Sequence, residues 1–241
     1  MKRHIPNALT AMNLFCGCVA VVLLFRGRQE AAAWLVFLAA VFDLLDGMVA
    51  RWLKVSSPMG KELDSLADMV TFGVVPGIVL FKLLKHSDLE VWVTDSSLRS
   101  LVQFVPFSVT VFSALRLARF NIDEGQKVGF LGLPTPANTL WIISLPLILI
   151  HDPGEWDFLL TSAPLIVSLS VVSCWLLVSG IPLFSFKGIG LGFRKDPYPL
   201  LLLVFAAGLL SWISFAAFPL IVAFYLLLSL VRNYFSTTNG K

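Results

Sequence analysis

The sequence predicts an all-α fold: a polytopic transmembrane helix bundle of about eight spans, each near 20 residues, built on a six-helix core. Three observations predict it. Of 241 residues, 57% are hydrophobic and only 14% charged, with a mean hydropathy of +0.85. A soluble domain carries about 25% charged residues, so water is the wrong solvent for most of this chain. Long apolar runs recur, separated by short polar breaks. The 18 lysines and arginines fall unevenly on alternate breaks, which orients the bundle in a bilayer.

The spans read, in order, as 8–25, 32–53, 62–85, 99–120, 134–151, 160–181, 198–215 and 218–235. The first follows MKRHIPNALT, a basic and polar start with no small-residue cleavage site before RGRQE. It therefore reads as a resident span and not a removed leader. Pro134 and Pro136 open the fifth span, where a missing N–H is tolerated. The acidic loop HDPGEWD (151–157) follows it. The apolar run 200–231 is too long for one crossing at 1.5 Å per residue. Pro219 and the small residues around it predict a tight hairpin of two short spans.

An even number of crossings puts both termini on one side. With that side cytoplasmic, thirteen basic residues lie there: Lys2, Arg3, Arg51, Lys54, Lys61, Arg116, Arg119, Lys127, Lys187, Arg194, Lys195, Arg232 and Lys241. The other five, Arg26, Arg28, Lys82, Lys85 and Arg99, lie outside. That asymmetry obeys the positive-inside rule. The expectation is one integral domain, 1–241, in the cytoplasmic (inner) membrane, with a terminal hairpin at about 198–235. The segment of Lys187, Arg194, Lys195 and Tyr198 reads as a headgroup anchor. Cys16, Cys18 and Cys174 lie in apolar spans and read as small buried hydrophobes. No repeat, glycine-rich phosphate loop, Ser-His-Asp arrangement or nucleic-acid motif is present.

Four aspartates break the apolar pattern: Asp43, Asp46, Asp64 and Asp68. A carboxylate within a span costs roughly 2.5–3.5 kcal/mol, and four together repel one another. Asp43 and Asp46 are i, i+3, and Asp64 and Asp68 are i, i+4, so each pair shares a helix face. Gly47, Ala50 and Arg51 continue the first face, and Gly60 precedes the second pair by one turn. Two antiparallel helices then offer carboxylates at one depth, with small residues leaving room for a ligand and one arginine for an anion. Charges at helix ends facing water would have no reason to fall in two such pairs. A divalent cation is the natural partner, and all-oxygen ligation suits Mg²⁺ or Mn²⁺ better than zinc.

At these residues the chain resembles the CDP-alcohol phosphotransferases, membrane enzymes of phospholipid synthesis. Their pattern D-x2-D-G-x2-A-R-x8-G-x3-D-x3-D is matched at every fixed position, by Asp43, Asp46, Gly47, Ala50, Arg51, Gly60, Asp64 and Asp68. The resemblance implies two metal ions on the four aspartates, a CDP-linked lipid as donor, Asp68 as general base, and a homodimer. Four more stretches resemble the membrane-integral phosphatidylserine synthase branch of bacteria: IPNALTAMNLFCG (5–17), FGVVPG (72–77), SALRLARFN (113–121) and GLPTPA (132–137). They extend the likeness over about 5–187, the expected catalytic core. This branch implies CDP-diacylglycerol as donor, L-serine as acceptor, and phosphatidylserine and CMP as products.

Arg116 and Arg119 are i, i+3 near the cytoplasmic end of the fourth span. Two guanidiniums in an apolar helix call for anions; the serine carboxylate, the donor diphosphate and lipid headgroups all qualify. Asn13 invites either a nucleotide contact, beside Gly47, Ala50, Arg51 and Gly60, or a bond across helices. Two other functions remain open. Glycerol 3-phosphate, inositol phosphate or choline could replace serine, although a phosphorylated acceptor calls for a larger basic pocket. A divalent-cation transporter would use the aspartates as its ion site, but it should show inverted repeats, and the sequence has none.

Overall fold

The computed structural model describes residues 4–55, 57–122, 130–152, 154, 156–184 and 198–238. Lys2, Arg3, Lys127, Lys187, Arg194, Lys195 and Lys241 of the charge pattern lie outside these described residues. The chain is an all-α bundle. Helix α1 is His4–Phe25, α2 Gln29–Leu53, α3 Pro58–Asp68 and α4 Val75–Lys85. Two short helices, α5 (Leu89–Trp92) and α6 (Ser96–Val102), lead into α7 (Phe107–Ile122). Then come α8 (Thr135–His151), α9 (Asp157–Leu160), α10 (Ala163–Val178), α11 (Tyr198–Ile213) and α12 (Ala217–Thr238). A two-residue ladder pairs β1 (Phe130–Leu131) antiparallel with β2 (Pro182–Leu183).

Among the described residues, five helical stretches are long and apolar enough to cross a bilayer: His4–Phe25, Gln29–Leu53, Pro58–Lys85, Ser96–Ile122 and Tyr198–Tyr234. α8 and α10 are shorter apolar helices. The last stretch folds back on itself, because the rings of Phe205 of α11 and Phe224 of α12 meet with centroids 3.9 Å apart, tilted by 31°. Its turn is the 3₁₀ segment Ser214–Ala216, with Ser214 at φ 46°, which overlaps the break expected between the spans 198–215 and 218–235. Pro219 sits just beyond, in the first turn of α12, where proline starts helices and does not make turns. Pro134 and Pro136 do open α8.

Without a hydrophobic drive inside lipid, helices associate through close packing of small residues. The α1–α2 seam follows this rule, with Ala20, Ala32, Ala33 and Ala39 wholly buried. Phe72, Leu80, Leu84, Ile142, Ile143 and Leu147 fill the centre between α4 and α8. Cys16 and Cys174 are buried, but Cys18 is exposed. Residues two apart on a helix face nearly opposite ways, so burial of Cys16 turns Cys18 outward.

The third span hides a feature absent from its periodicity. Between α3 and α4 the chain makes a π-helical turn, Met69–Val74. Pro76 has no N–H to give the carbonyl of Phe72 four residues back. Thr139 Oγ1 of α8 donates to that carbonyl instead, at 2.9 Å. Thr110 Oγ1 of α7 donates to the next one, Gly73 O, also at 2.9 Å. Neighbouring threonines thus satisfy backbone groups that lipid could not. Gly77 allows the approach, since a Cβ there would run into Thr110 Oγ1.

The polar ends sort the bundle. At one end Glu30, at the start of α2, meets His151, at the end of α8, at 3.6 Å, and Asp88, just after α4, accepts at Oδ1 from Ala163 N at the start of α10 at 2.6 Å. At the opposite end, Lys61 Nζ donates to Asn121 O at 2.7 Å, and Asn121 Nδ2 to Ser65 Oγ at 2.9 Å. The aspartates lie toward this second end.

Candidate active site

Two helix ends shape the site. Lys54 closes α2 in the left-handed conformation, its N–H on Ala50 O and Arg51 O. Ser57 then caps α3, its Oγ accepting from Gly60 N at 3.0 Å, with Pro58 in the first turn. This reversal brings α3 back beside the aspartates of α2. Asp43, Asp64 and Asp68 each present a carboxylate oxygen, all within 4.8 Å of one another. Asp43 and Asp64 are half-buried and Asp68 is buried. Three oxygens at that separation can share one hard cation of the Mg²⁺ or Mn²⁺ kind.

The sequence suggested a two-helix site, but three helices build it. α1 packs along both α2 and α3 and gives each a polar partner. Thr10 Oγ1 donates to Asp46 Oδ2 at 2.5 Å, and Asn13 Nδ2 donates to Asp68 Oδ1 at 3.1 Å. Asn13 thus makes a bond across helices through its Nδ2, while its buried Oδ1 has no hydrogen-bond partner among the described residues. Asp46 lies outside the close trio; it is buried and held by Thr10. Thr71 Oγ1 donates to Asn13 O at 3.2 Å, which braces the π turn against α1.

A cleft of about 240 Å³ opens beside the carboxylates, lined by Thr10, Asp46, Gly47, Ala50, Gly60, Lys61 and Asp64 with Pro6, Asn7, Val55 and Ser57. A Cβ on Gly47 would meet only Arg51 Nη1, at 3.9 Å, so nothing packs where its side chain would be. Gly60 is different: a Cβ there would press on Ser57 Oγ at 3.0 Å and Asn7 Oδ1 at 3.1 Å. Arg51 is exposed and stands at the rim.

Arg116 and Arg119 line a second, smaller pocket with Phe120, Leu131, Leu177, Val178 and Ser179. Arg116 lies near enough to Asp68 for their charges to interact. Its Nε is buried and has no hydrogen-bond partner among the described residues. Asp64 therefore borders the cleft, and Asp68, one turn on, faces the arginine side. Thr10, Lys61 and Asn121 also contribute, through contacts between residues distant in sequence. The polar type and one-turn spacing of Thr10 and Asn13 were visible, but not which aspartate each would meet.

The family model for CDP-alcohol phosphatidyltransferase matches residues 3–182. A CDP-diacylglycerol–serine O-phosphatidyltransferase of Mycobacterium bovis is 32% identical over 232 residues, covering 93% of this chain and 72% of the relative. One of Helicobacter pylori is 32% identical over 185 residues, 76% of this chain and 72% of the relative. An archaetidylserine synthase of Methanothermobacter thermautotrophicus is 32% identical over 143 residues, 58% of this chain and 56% of the relative.

Proposed function

The chain belongs to the CDP-alcohol phosphatidyltransferase family, and we propose that it transfers the phosphatidyl group of CDP-diacylglycerol to the hydroxyl of L-serine, giving phosphatidylserine and CMP. The observation that carries this reading is the carboxylate trio set between an open cleft and an arginine pocket. The names of its relatives support serine as acceptor. So does the pocket, whose only charged lining among the described residues is Arg116 and Arg119, enough for one carboxylate.

In this reading the cleft of Gly47, Ala50 and Gly60 receives the CDP group, with Arg51 at its rim and Asn13 acting behind it through Asp68. Asp43, Asp46, Asp64 and Asp68 would hold two Mg²⁺ or Mn²⁺ ions. Bound there, the metals supply neutralisation of the diphosphate and of charge growing on the leaving CMP. Asp68 takes the proton of the serine hydroxyl as that oxygen attacks the lipid-side phosphorus and the bond to CMP breaks. Asn13 spends one N–H on Asp68 and leaves other lone pairs of the carboxylate available. Arg116 and Arg119 grip the serine carboxylate, where a guanidinium fork suits two oxygens. The termini and the site face the cytoplasm, where serine is dissolved.

The test is direct. Purified protein is given CDP-diacylglycerol and labelled serine, glycerol 3-phosphate, inositol phosphate or choline, with and without chelator. Phosphatidylserine should be the lipid product, lost in chelator and restored by Mg²⁺ or Mn²⁺. A different product replaces the acceptor, and full turnover in excess chelator removes the metals.

A further inference from the structure

The family match ends at residue 182, yet the chain beyond it returns a side chain to the site. Tyr225, in the middle of α12, is only 7% exposed. Its hydroxyl donates to Phe184 O at 2.7 Å, and its ring meets that of Phe184 edge-on with centroids 4.9 Å apart. Farther along α12, Asn233 Nδ2 donates to Pro182 O at 2.6 Å. α12 therefore grips the chain at β2 and just after it. β2 pairs with β1, Leu131 opposite Pro182, and Leu131 is a wall of the arginine pocket. Tyr225 also lies close enough to Arg116 for the two groups to interact electrostatically.

A hydroxyl has one proton and two acceptor lone pairs. With its proton committed to Phe184 O, the Tyr225 oxygen offers only lone pairs elsewhere. It is then an attractive neighbour for a guanidinium, in surroundings where such dipoles count for more than in water. Arg116 needs that guidance. It is a long side chain with several rotamers to lose on ordering, and its buried Nε has no protein partner among the described residues.

We propose that Tyr225 is a positioning residue for acceptor binding: it ties the β1–β2 lip to the C-terminal hairpin and holds Arg116 directed into the pocket where the acceptor's anionic group docks. The proposal rests on the reading of Arg116 as an acceptor-side residue. It does not depend on serine being that acceptor.

Tyr225→Phe removes one oxygen and keeps the ring. The measurement is KM for donor and for acceptor, together with kcat, using whichever alcohol the wild type converts. The acceptor KM should rise roughly three- to tenfold, the size of one lost hydrogen bond, with the donor KM unchanged. Preference for the acceptor over an analogue lacking the anionic group should fall by the same factor. A role in stability alone would move both KM values together, and that result overturns the proposal. So does an unchanged acceptor KM. If the wild type converts an alcohol other than serine, the serine reading fails, while the KM split for that alcohol still decides the role of Tyr225.

Discussion

Gly47 and Gly17 show how the same residue type serves two ends. A Cβ on Gly47 would meet only Arg51 Nη1, at 3.9 Å, whereas one on Gly17 would run into Thr71 Oγ1. Packing demands the second glycine and not the first. Gly47→Ala should therefore stabilise α2 by about 0.5–1 kcal/mol, the ordinary gain of alanine within a helix. It should also raise the CDP-diacylglycerol requirement on the order of tenfold, because the methyl narrows the cleft. Melting temperature and donor KM measured together check this; a more stable variant with unchanged donor KM would empty the cleft of its role. Asp68 poses the complementary question. Asp68→Asn keeps an oxygen to accept from Asn13, so the α1–α3 bond survives. Turnover should drop about 10²–10⁴-fold, the usual weight of a general base, with donor binding little changed. Equal losses in both would make Asp68 a metal ligand before it is a base. Asp43→Asn is expected to weaken metal activation itself, seen as a higher Mg²⁺ or Mn²⁺ concentration for half-maximal rate.

Among the elements, the π turn at Met69–Val74 does most to place the site, because it directly follows Asp68. The turn depends on its neighbours. Thr139 reaches Phe72 O at 2.9 Å and its own helix at Thr135 O at 3.0 Å, sharing one proton between them. Thr139→Val keeps the shape and removes the donor. The Phe72 carbonyl, already deprived of an N–H by Pro76, would be left buried without it. A cost of about 1–3 kcal/mol is expected, read as a lower melting temperature in detergent. An unchanged melting temperature would mean that the carbonyl finds another donor. FGVVPG and GLPTPA, which carried part of the resemblance, thus have structural work as well. Gly132 sits at φ +74°, and a Cβ on it would come within 2.7 Å of Leu177 O. It lets the chain pass from β1 into α8 beside α10.

At the scale of the whole molecule, exposed aromatic residues mark two levels. Trp52 (82% exposed) lies at the aspartate end, and Trp212 (83%) and Phe158 (87%) lie at the other. Water would penalise such surface; a bilayer interface favours it. Arg26, Arg28, Lys82, Lys85 and Arg99 all belong to the far end, where Lys82 Nζ donates to Leu24 O at 2.7 Å and Arg99 meets Glu90 at 3.3 Å. The proposed orientation follows from this division. The family resemblance further suggests a homodimer with one active site per subunit. Mass measurement in mild detergent should give twice the 26.5 kDa of one chain. A fully active monomer would count against the dimer.

The sequence by itself determined the solvent, the helical class and the identity of the chemistry. Apolar run lengths are a property of the chain and the bilayer alone, and the spacing of eight motif residues is one-dimensional information. Helical periodicity also put Asp43 and Asp46, Asp64 and Asp68, and Arg116 and Arg119 on shared helix faces. Tertiary structure decided what periodicity cannot carry. It joined Asp43 to Asp64 and Asp68 and left Asp46 with Thr10. It gave Asn13 to Asp68 across 55 residues, and Thr139 to Phe72 across 67. It turned Cys18 outward. Each of these depends on which helix faces stand opposite one another. That follows from the packing of small residues and from the need, inside lipid, for every polar group to find a partner within the protein.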